Sequence, residues 1–464
     1  MISSLVLNVH GLVRLRKHPE PWRSAVERSI TTNRSAIARP VAGIFFPQRR
    51  SLRLDSHGCS PAILGKICRE AARSTSFDAA AESLSDLAEV DLSGRQLGHI
   101  AHEVGEQLRE ARDQQVDDFQ NQRLVPETDV APKLAVVSID GGRYQTRSEG
   151  QGPGAHDAAW REDKVADLVT MRTQSHADDP HPELPRCFTE KKGVVELVQG
   201  ITSQGALADV IDPTAEPAAP LKVFEPAKDQ ADVPWPPEPL VRTCQATTRD
   251  SEALGPMVAT EAKRRNFFAA TLRVFLGDGG LWIWKIHRTF FPTFEPIVDF
   301  VHVLTYVYLA AKAIGGGADA IWQRYLHWAT ACWQGRVGEV LDELRRALEA
   351  MPQPTASREE KPTDPYHVLA KTIGYLEHNQ SRMDYPRYRR QGLPIMSGRV
   401  ESLMKQFNRR VKGTEKFWNE DQAEMILQLR AAQLSEDDRL SKHLKSRPIS
   451  PFRTYKTTKR RKAG

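Results

Sequence analysis

Two short apolar runs of strand type each deliver an aspartate next to paired glycines. Residues 134–139 (Leu-Ala-Val-Val-Ser-Ile) end in Asp140-Gly141-Gly142, and residues 271–276 (Thr-Leu-Arg-Val-Phe-Leu) end in Gly277-Asp278-Gly279-Gly280. Runs this short and apolar predict buried strands, and the glycines allow backbone or ligand to approach the strand ends closely. One Asp-Gly is also an ordinary turn signal. Two such strands, with helical patterning elsewhere, predict a mixed α/β fold.

A third carboxylate lies on a helix. Over residues 398–413, Val400, Leu403, Met404, Phe407 and Val411 fall on one stripe at 100° per residue, which predicts an amphipathic helix. Glu401, Lys405, Asn408 and Lys412 line the strip beside it. A carboxylate at the core border followed by cationic and amide groups suits a metal ligand next to a phosphate backbone. The plain alternative is a surface helix with an i,i+4 Glu401–Lys405 pair.

In order along the chain stand Val137-Ser138-Ile139-Asp140-Gly141-Gly142, Phe275-Leu276-Gly277-Asp278-Gly279, Phe291-Pro292 and Ile297-Val298-Asp299-Phe300-Val301-His302-Val303. Ser397-Gly398-Arg399-Val400-Glu401-Ser402 follows, then Arg410-Val411-Lys412-Gly413, Phe417-Trp418, Gln422-Ala423-Glu424 and Leu429-Arg430-Ala431. This ordered set, over roughly residues 130 to 435, resembles the DDE transposases of bacterial insertion sequences. The resemblance implies a ribonuclease H-like catalytic core interrupted by an all-helical insertion and preceded by a helical DNA-binding region. It also implies that Asp140, Asp278 and Glu401 are the catalytic, metal-holding carboxylates.

Charge is uneven. Residues 1–54 hold ten Lys/Arg against two acids, and residues 439–464 hold ten against none, so the net charge of +6 conceals an acidic middle. Basic ends act as electrostatic arms on phosphates, or simply as solubilising tails. Within the middle, residues 385–412 carry eight Lys/Arg and the single acid Glu401. Cys59, Cys68, Cys187, Cys244 and Cys332 show no Cys-x-x-Cys spacing and are expected as reduced thiols of a cytoplasmic protein. There is no signal-peptide layout, and the apolar run near 300–314 is broken by His302 and Lys312 and too short to span a bilayer.

Along the chain, residues 1–55 read as a basic, disordered arm. Residues 56–125 read as helical, with a helix-turn-helix at 77–87 and 93–108. Ser93 is the expected N-cap, and Leu97, Ile100, Ala101, Val104 and Leu108 form one face. A helical spacer is the alternative. Residues 130–300 form the first part of the catalytic domain, with hairpin strands expected at 143–147 and 164–171 and a Gly-rich loop at 150–158. A Pro-rich, extended connection is expected over 205–241, then a helix over 257–270. Residues 303–392 read as the helical insertion, with Trp322, Trp328 and Trp333 packing it internally. Residues 393–438 hold the last catalytic-domain helices, with Trp418 anchoring the end of the Glu401 helix, and 439–464 form a basic tail of little fixed structure.

Asp299 rivals Asp278 as the second ligand; the flanking glycines and the strand directly before it favour Asp278. Asp299 and His302 are then near-site residues, or a helix cap and a half-buried histidine. The chain has no nucleophile elbow, phosphate loop or dinucleotide fingerprint. Three hard oxygen ligands suit Mg²⁺ or Mn²⁺, and two ions about 4 Å apart would serve in-line attack on a phosphodiester. Arg399, Lys405, Asn408, Arg409 and Lys412 would hold the DNA backbone. The expected partners are double-stranded DNA and further copies of the chain. A ribonuclease H-like nuclease and an inactive DNA-binding relic are the alternatives.

Overall fold

The computed structural model describes residues 44–45, 47–147, 159–202, 235–352, 363–413, 416–449 and 452–453. It divides into two compact units, Met1–Glu110 with Asp421–Gly464, and Ala111–Glu420.

In the first unit β1 (Ile44–Phe45) precedes helices α1 (Pro47–Ser51), α2 (Pro61–Arg73), α3 (Phe77–Ala88) and the first part of α4 (Gly94–Gln120). The expected helix pair is present as α3 and α4. Ser93 Oγ accepts from Gln96 N at 3.3 Å while Gln96 Oε1 accepts from Ser93 N at 3.0 Å, a reciprocal capping box. Leu97, Ile100, Ala101 and Val104 are buried, and Leu108 is half-buried.

The C-terminal segment departs from expectation. Residues 439–446 form a helix, and Phe452–Arg453 is a strand pairing antiparallel with β1. Leu440 and Leu444 stand one turn apart among charged residues and are both buried, so the basic composition concealed a short amphipathic helix. Beyond it the buried Arg447 meets Glu103 at 2.6 Å and Asp55 at 3.3 Å. Leu444→Ala is expected to destabilise this unit by about 3 kcal/mol; an unchanged urea midpoint would mean that the helix does not dock in solution.

The second unit is built on β2 (Leu134–Thr146), β3 (Ala159–Arg172), β4 (Glu238–Thr247), β5 (Leu272–Gly277) and β6 (Glu295–Val298), in the spatial order β4-β3-β2-β5-β6. β3 runs antiparallel to both β2 and β4, whereas β2–β5 and β5–β6 are parallel. The result is a mixed α/β fold with an open five-stranded sheet.

Two details differ from the sequence expectation. β2 does not stop at Asp140 but continues through Gly141 and Gly142 to Thr146, so residues 143–146 belong to the first strand, and 164–171 lies in its partner β3. Gly142 serves the close approach expected of it: a Cβ there would lie 2.6 Å from both Asp163 Oδ1 and Met404 Sδ. The end of the supposed Pro-rich connection is the edge strand β4, where Pro239 sits at a register shift beside Met171, a place where a missing N–H is tolerated. Residues 205–234 of that connection, the loop at 150–158 and most of the N-terminal arm lie outside the described residues.

Helices α5 (Lys191–Thr202), α6 (Ser251–Arg264) and α7 (Leu281–Phe290) flank the sheet strands in sequence. α6 begins and ends about six residues earlier than the periodicity predicts, capped by Asp250. Then come α8 (Phe300–Ile314), α9 (Ala318–Trp333), α10 (Val337–Glu349), α11 (Pro365–Asn379) and α12 (Tyr385–Arg390), the all-helical stretch expected after the second strand aspartate. Trp328 and Trp333 are buried and Trp322 stacks on Tyr325. Helix α13 (Gly398–Val411) buries Val400, Leu403, Met404, Phe407 and Val411, the stripe read from the sequence. Trp418 donates from Nε1 to the Val411 carbonyl at 2.9 Å, closing the end of α13. α14 (Glu420–Leu434) and α15 (Arg439–Ser446) follow, and β7 is Phe452–Arg453. All five cysteines are free, and no helix among the described residues is long and apolar enough to cross a membrane.

Candidate functional site

The site forms where the parallel strands end. The last β2–β5 pair is Ser138 with Leu276, so Asp140 and Asp278 each stand two residues past the same rung. β6 is paired with β5 up to Gly277–Val298, and Asp299 N donates to the Gly277 carbonyl at 2.8 Å. Three adjacent strands thus deliver Asp140, Asp278 and Asp299 to one edge, the carboxyl end of an open sheet where ligands commonly bind. Helix α13, packed on β2 and β3, brings Glu401 to that edge.

Asp299 is the most constrained of these groups, with no exposed surface. Its Oδ1 accepts from Val301 N at 3.1 Å and Ser397 N at 3.2 Å; its Oδ2 accepts from Ser397 Oγ at 2.5 Å and meets His302 Nδ1 at 2.8 Å. Asp299 therefore caps α8 and latches the residue before α13 to it. Four hydrogen bonds occupy this carboxylate, which leaves it poorly suited to a metal even though Asp299, His302 and Glu401 lie close enough to share one.

Glu401 is the opposite case. Its Oε1 is buried without a hydrogen-bond partner, which leaves it open to a cation or another donor. Asp278 Oδ1 accepts from Gly280 N at 2.8 Å, which orients that carboxyl group. Asp140 Oδ1 accepts from Gly141 N at 2.8 Å.

The electrostatics follow from crowding. Burial, then the charges of Asp278 and Glu401, push Asp140 up to about 7 against the opposing pull of His302. Glu401 is raised as well, by burial first and then by Asp299, with His302 and Lys405 opposing. For His302, burial works against the imidazolium, but the hydrogen bond and charge of Asp299, with Asp278 and Glu401, outweigh it and hold the group up at about 10. Burial lowers Lys405, while Glu401 and Asp140 pull it the other way. Asp140, Asp278, Glu401, His302 and Lys405 thus share one field, and carboxylates that repel one another are what a divalent cation relieves. The donor set fits Mg²⁺ or Mn²⁺: carboxylate oxygens, one orphaned in the interior, with glycines on the approach.

This geometry has a pH consequence. Both Asp140 and His302 hold their proton more tightly folded than unfolded, so their contribution is complete at low pH. Asp140 loses its part as pH rises from about 4 through about 7, and His302 as pH rises from 6.5 towards about 10. Metal-free protein should therefore melt lower at pH 8 than at pH 5.5, with Mn²⁺ restoring more at pH 8. Asp140→Asn should flatten the slope. Metal-free stability that rises over this range, in wild type and variant alike, would refute the crowding.

The other predicted phosphate contacts divide. Arg409 is exposed; Arg399, Lys405 and Lys412 are half-buried, and Arg399 Nε is buried with no hydrogen-bond partner. Lys412 Nζ lies 6.0 Å from the centre of the Trp160 ring. Asn408 turns its Oδ1 inward, 3.1 Å from the place of a Cβ on Gly142, near Asp163 Oδ1. Sequence reading missed Asp163, Ser397 and Tyr375. Ser397 carried a signal, standing directly before the α13 motif; Asp163 and Tyr375 carried none, because only strand register and helix docking bring them here.

No family model matches the chain, and no curated protein matches it either.

Proposed function

We propose that this protein is a DDE-type transposase that cuts DNA and joins the free 3′-hydroxyl to a target strand, acting on a ribonuclease H-like core. The observation that carries the reading is that Asp140 lies in the field of both Asp278 and Glu401 beyond the ends of the parallel strands, with Glu401 Oε1 buried and without a hydrogen-bond partner. An antiparallel trio of strands extended by two parallel ones is compatible with such a core. The sequence motifs on these same elements support the family.

In this reading Asp140, Asp278 and Glu401 hold Mg²⁺ or Mn²⁺, two ions being expected. Bound there, the ions supply Lewis-acid activation of a water or 3′-hydroxyl and stabilise the departing oxygen. Asp299 keeps His302 protonated and ties Ser397 so that α13 presents Glu401 at the strand ends. Lys405, with the unpaired guanidinium edge of Arg399, draws the phosphodiester towards the carboxylates, and Arg409 and Lys412 extend the contact along the backbone. The partners are double-stranded DNA, as element ends and target, and other copies of the chain to pair two ends, in the bacterial cytoplasm.

The test is incubation with labelled DNA carrying the element's ends and Mn²⁺. Cleavage and joining, both lost without metal, are expected. Cleavage without joining would favour a nuclease of the same architecture, and binding without either reaction a DNA-binding relic.

A further inference from the structure

We propose that the helical insertion completes the carboxylate site, and that Tyr375 of α11 is the positioning residue for Asp278. The inference rests on the reading of Asp278 as a metal ligand.

Residues 97 positions apart meet here. The Tyr375 hydroxyl donates to the Asp278 carbonyl at 2.8 Å. Its ring lies against the next residue, Gly279, whose φ of +100° is open to glycine and strained for other residues. A Cβ on Gly279 would stand 2.5 Å from the Tyr375 ring and 3.0 Å from Asn379 Nδ2, so the backbone of the turn touches α11 directly.

The tyrosine is itself held. Tyr306 of α8 stacks on it with ring centres 3.7 Å apart and planes 12° from parallel. Asn379, buried at the end of α11, donates from Nδ2 to the Tyr375 carbonyl at 3.0 Å and accepts at Oδ1 from Trp284 Nε1 at 2.9 Å. Trp284 belongs to α7, the helix that starts just after the turn. Two helices of the insertion and the helix after Asp278 therefore grip a turn of only three residues between β5 and α7. Within that turn Gly280 N fixes one Asp278 oxygen. Rotation of the Asp278 peptide would break the Tyr375 bond, so the tyrosine sets the direction in which the carboxylate leaves the strand.

Groups that orient a ligand through one hydrogen bond typically change metal affinity by 10- to 100-fold. Tyr375→Phe removes one hydroxyl and leaves the ring and its stack in place. The experiment is calorimetric titration of the full chain with Mn²⁺ and no DNA, with urea unfolding of the metal-free protein alongside. Asp278→Asn and Glu401→Gln serve as controls. Tyr375→Phe should bind Mn²⁺ about tenfold more weakly with its metal-free unfolding midpoint unchanged. If both controls bind Mn²⁺ like wild type, the metal site itself is refuted. If the controls lose binding and Tyr375→Phe does not, the positioning role is refuted alone. A Tyr375→Phe protein that loses stability in step with affinity would also overturn it, since the hydroxyl would then only support the fold.

Discussion

Asp140→Asn is expected to lower metal-dependent strand cleavage by at least about a thousandfold while DNA binding without cleavage persists. The amide keeps the shape of the side chain and removes the charge that would hold the cation. It also removes a repulsive neighbour of Asp278 and Glu401, since these two help push Asp140 up to about 7. Metal-free Asp140→Asn protein should consequently be at least as stable as wild type at pH 8, which separates lost chemistry from lost fold. Glu401→Gln should behave in the same way, because the buried Oε1 has no partner to lose. A variant that still cuts within tenfold of wild type would remove Asp140 from the site. Measuring retained binding by gel shift completes the comparison.

Asp299→Ala should act through stability instead. Its carboxylate holds four donors in the interior, two of them from Ser397 and one from His302. Deleting it leaves an imidazolium without its counter-charge and two backbone N–H groups without acceptors. Loss of one member of a buried charged pair typically costs about 3–5 kcal/mol, and the same is expected for the unfolding transition of the Ala111–Glu420 unit. Asn at this position preserves one acceptor and should fall between Ala and wild type. Ser397→Ala, which removes only the hydroxyl bond, should cost about 1–2 kcal/mol. A urea midpoint for Asp299→Ala close to that of wild type would show that the latch between α8 and α13 is not closed in solution.

Asp278 and Asp299 are the rival candidates for the second ligand. By sequence both follow apolar runs, and both stand at strand ends in the structure. Hydrogen bonding separates them. Asp299 is consumed by its own helix cap and by Ser397, whereas Asp278 spends one carboxylate bond on Gly280 N.

Local features were legible in the amino-acid sequence because they depend on neighbours along the chain. The 3.6-residue stripe of α13, the Ser93–Gln96 cap of α4 and the onset of strands β2 and β5 all belong to this group. Each is decided by side chains within one or two turns, so periodicity and capping chemistry suffice. The acidic residues to watch were legible as well, since an aspartate closing an apolar run stands out wherever the strand finally pairs.

Long-range pairing decided the rest. Asp140 and the glycines after it read as the end of the strand, yet β3 supplies partners for Gly141 and Gly142 and Met404 needs the space over Gly142, so the strand runs on. The segment after the prolines became β4 because β3 offered it an edge. The basic tail became α15 because Leu440 and Leu444 found a core and Arg447 found Asp55 and Glu103. The two bonds from Ser397 to Asp299 and the reach of Tyr375 to Asp278 join residues far apart along the chain, and packing of the elements buries Glu401 Oε1. The sequence by itself determined which carboxylates the chain offers and on which elements they ride. Only the tertiary structure decided which of them retain unsatisfied oxygens, because desolvation and hydrogen-bond competition exist only once the elements have packed.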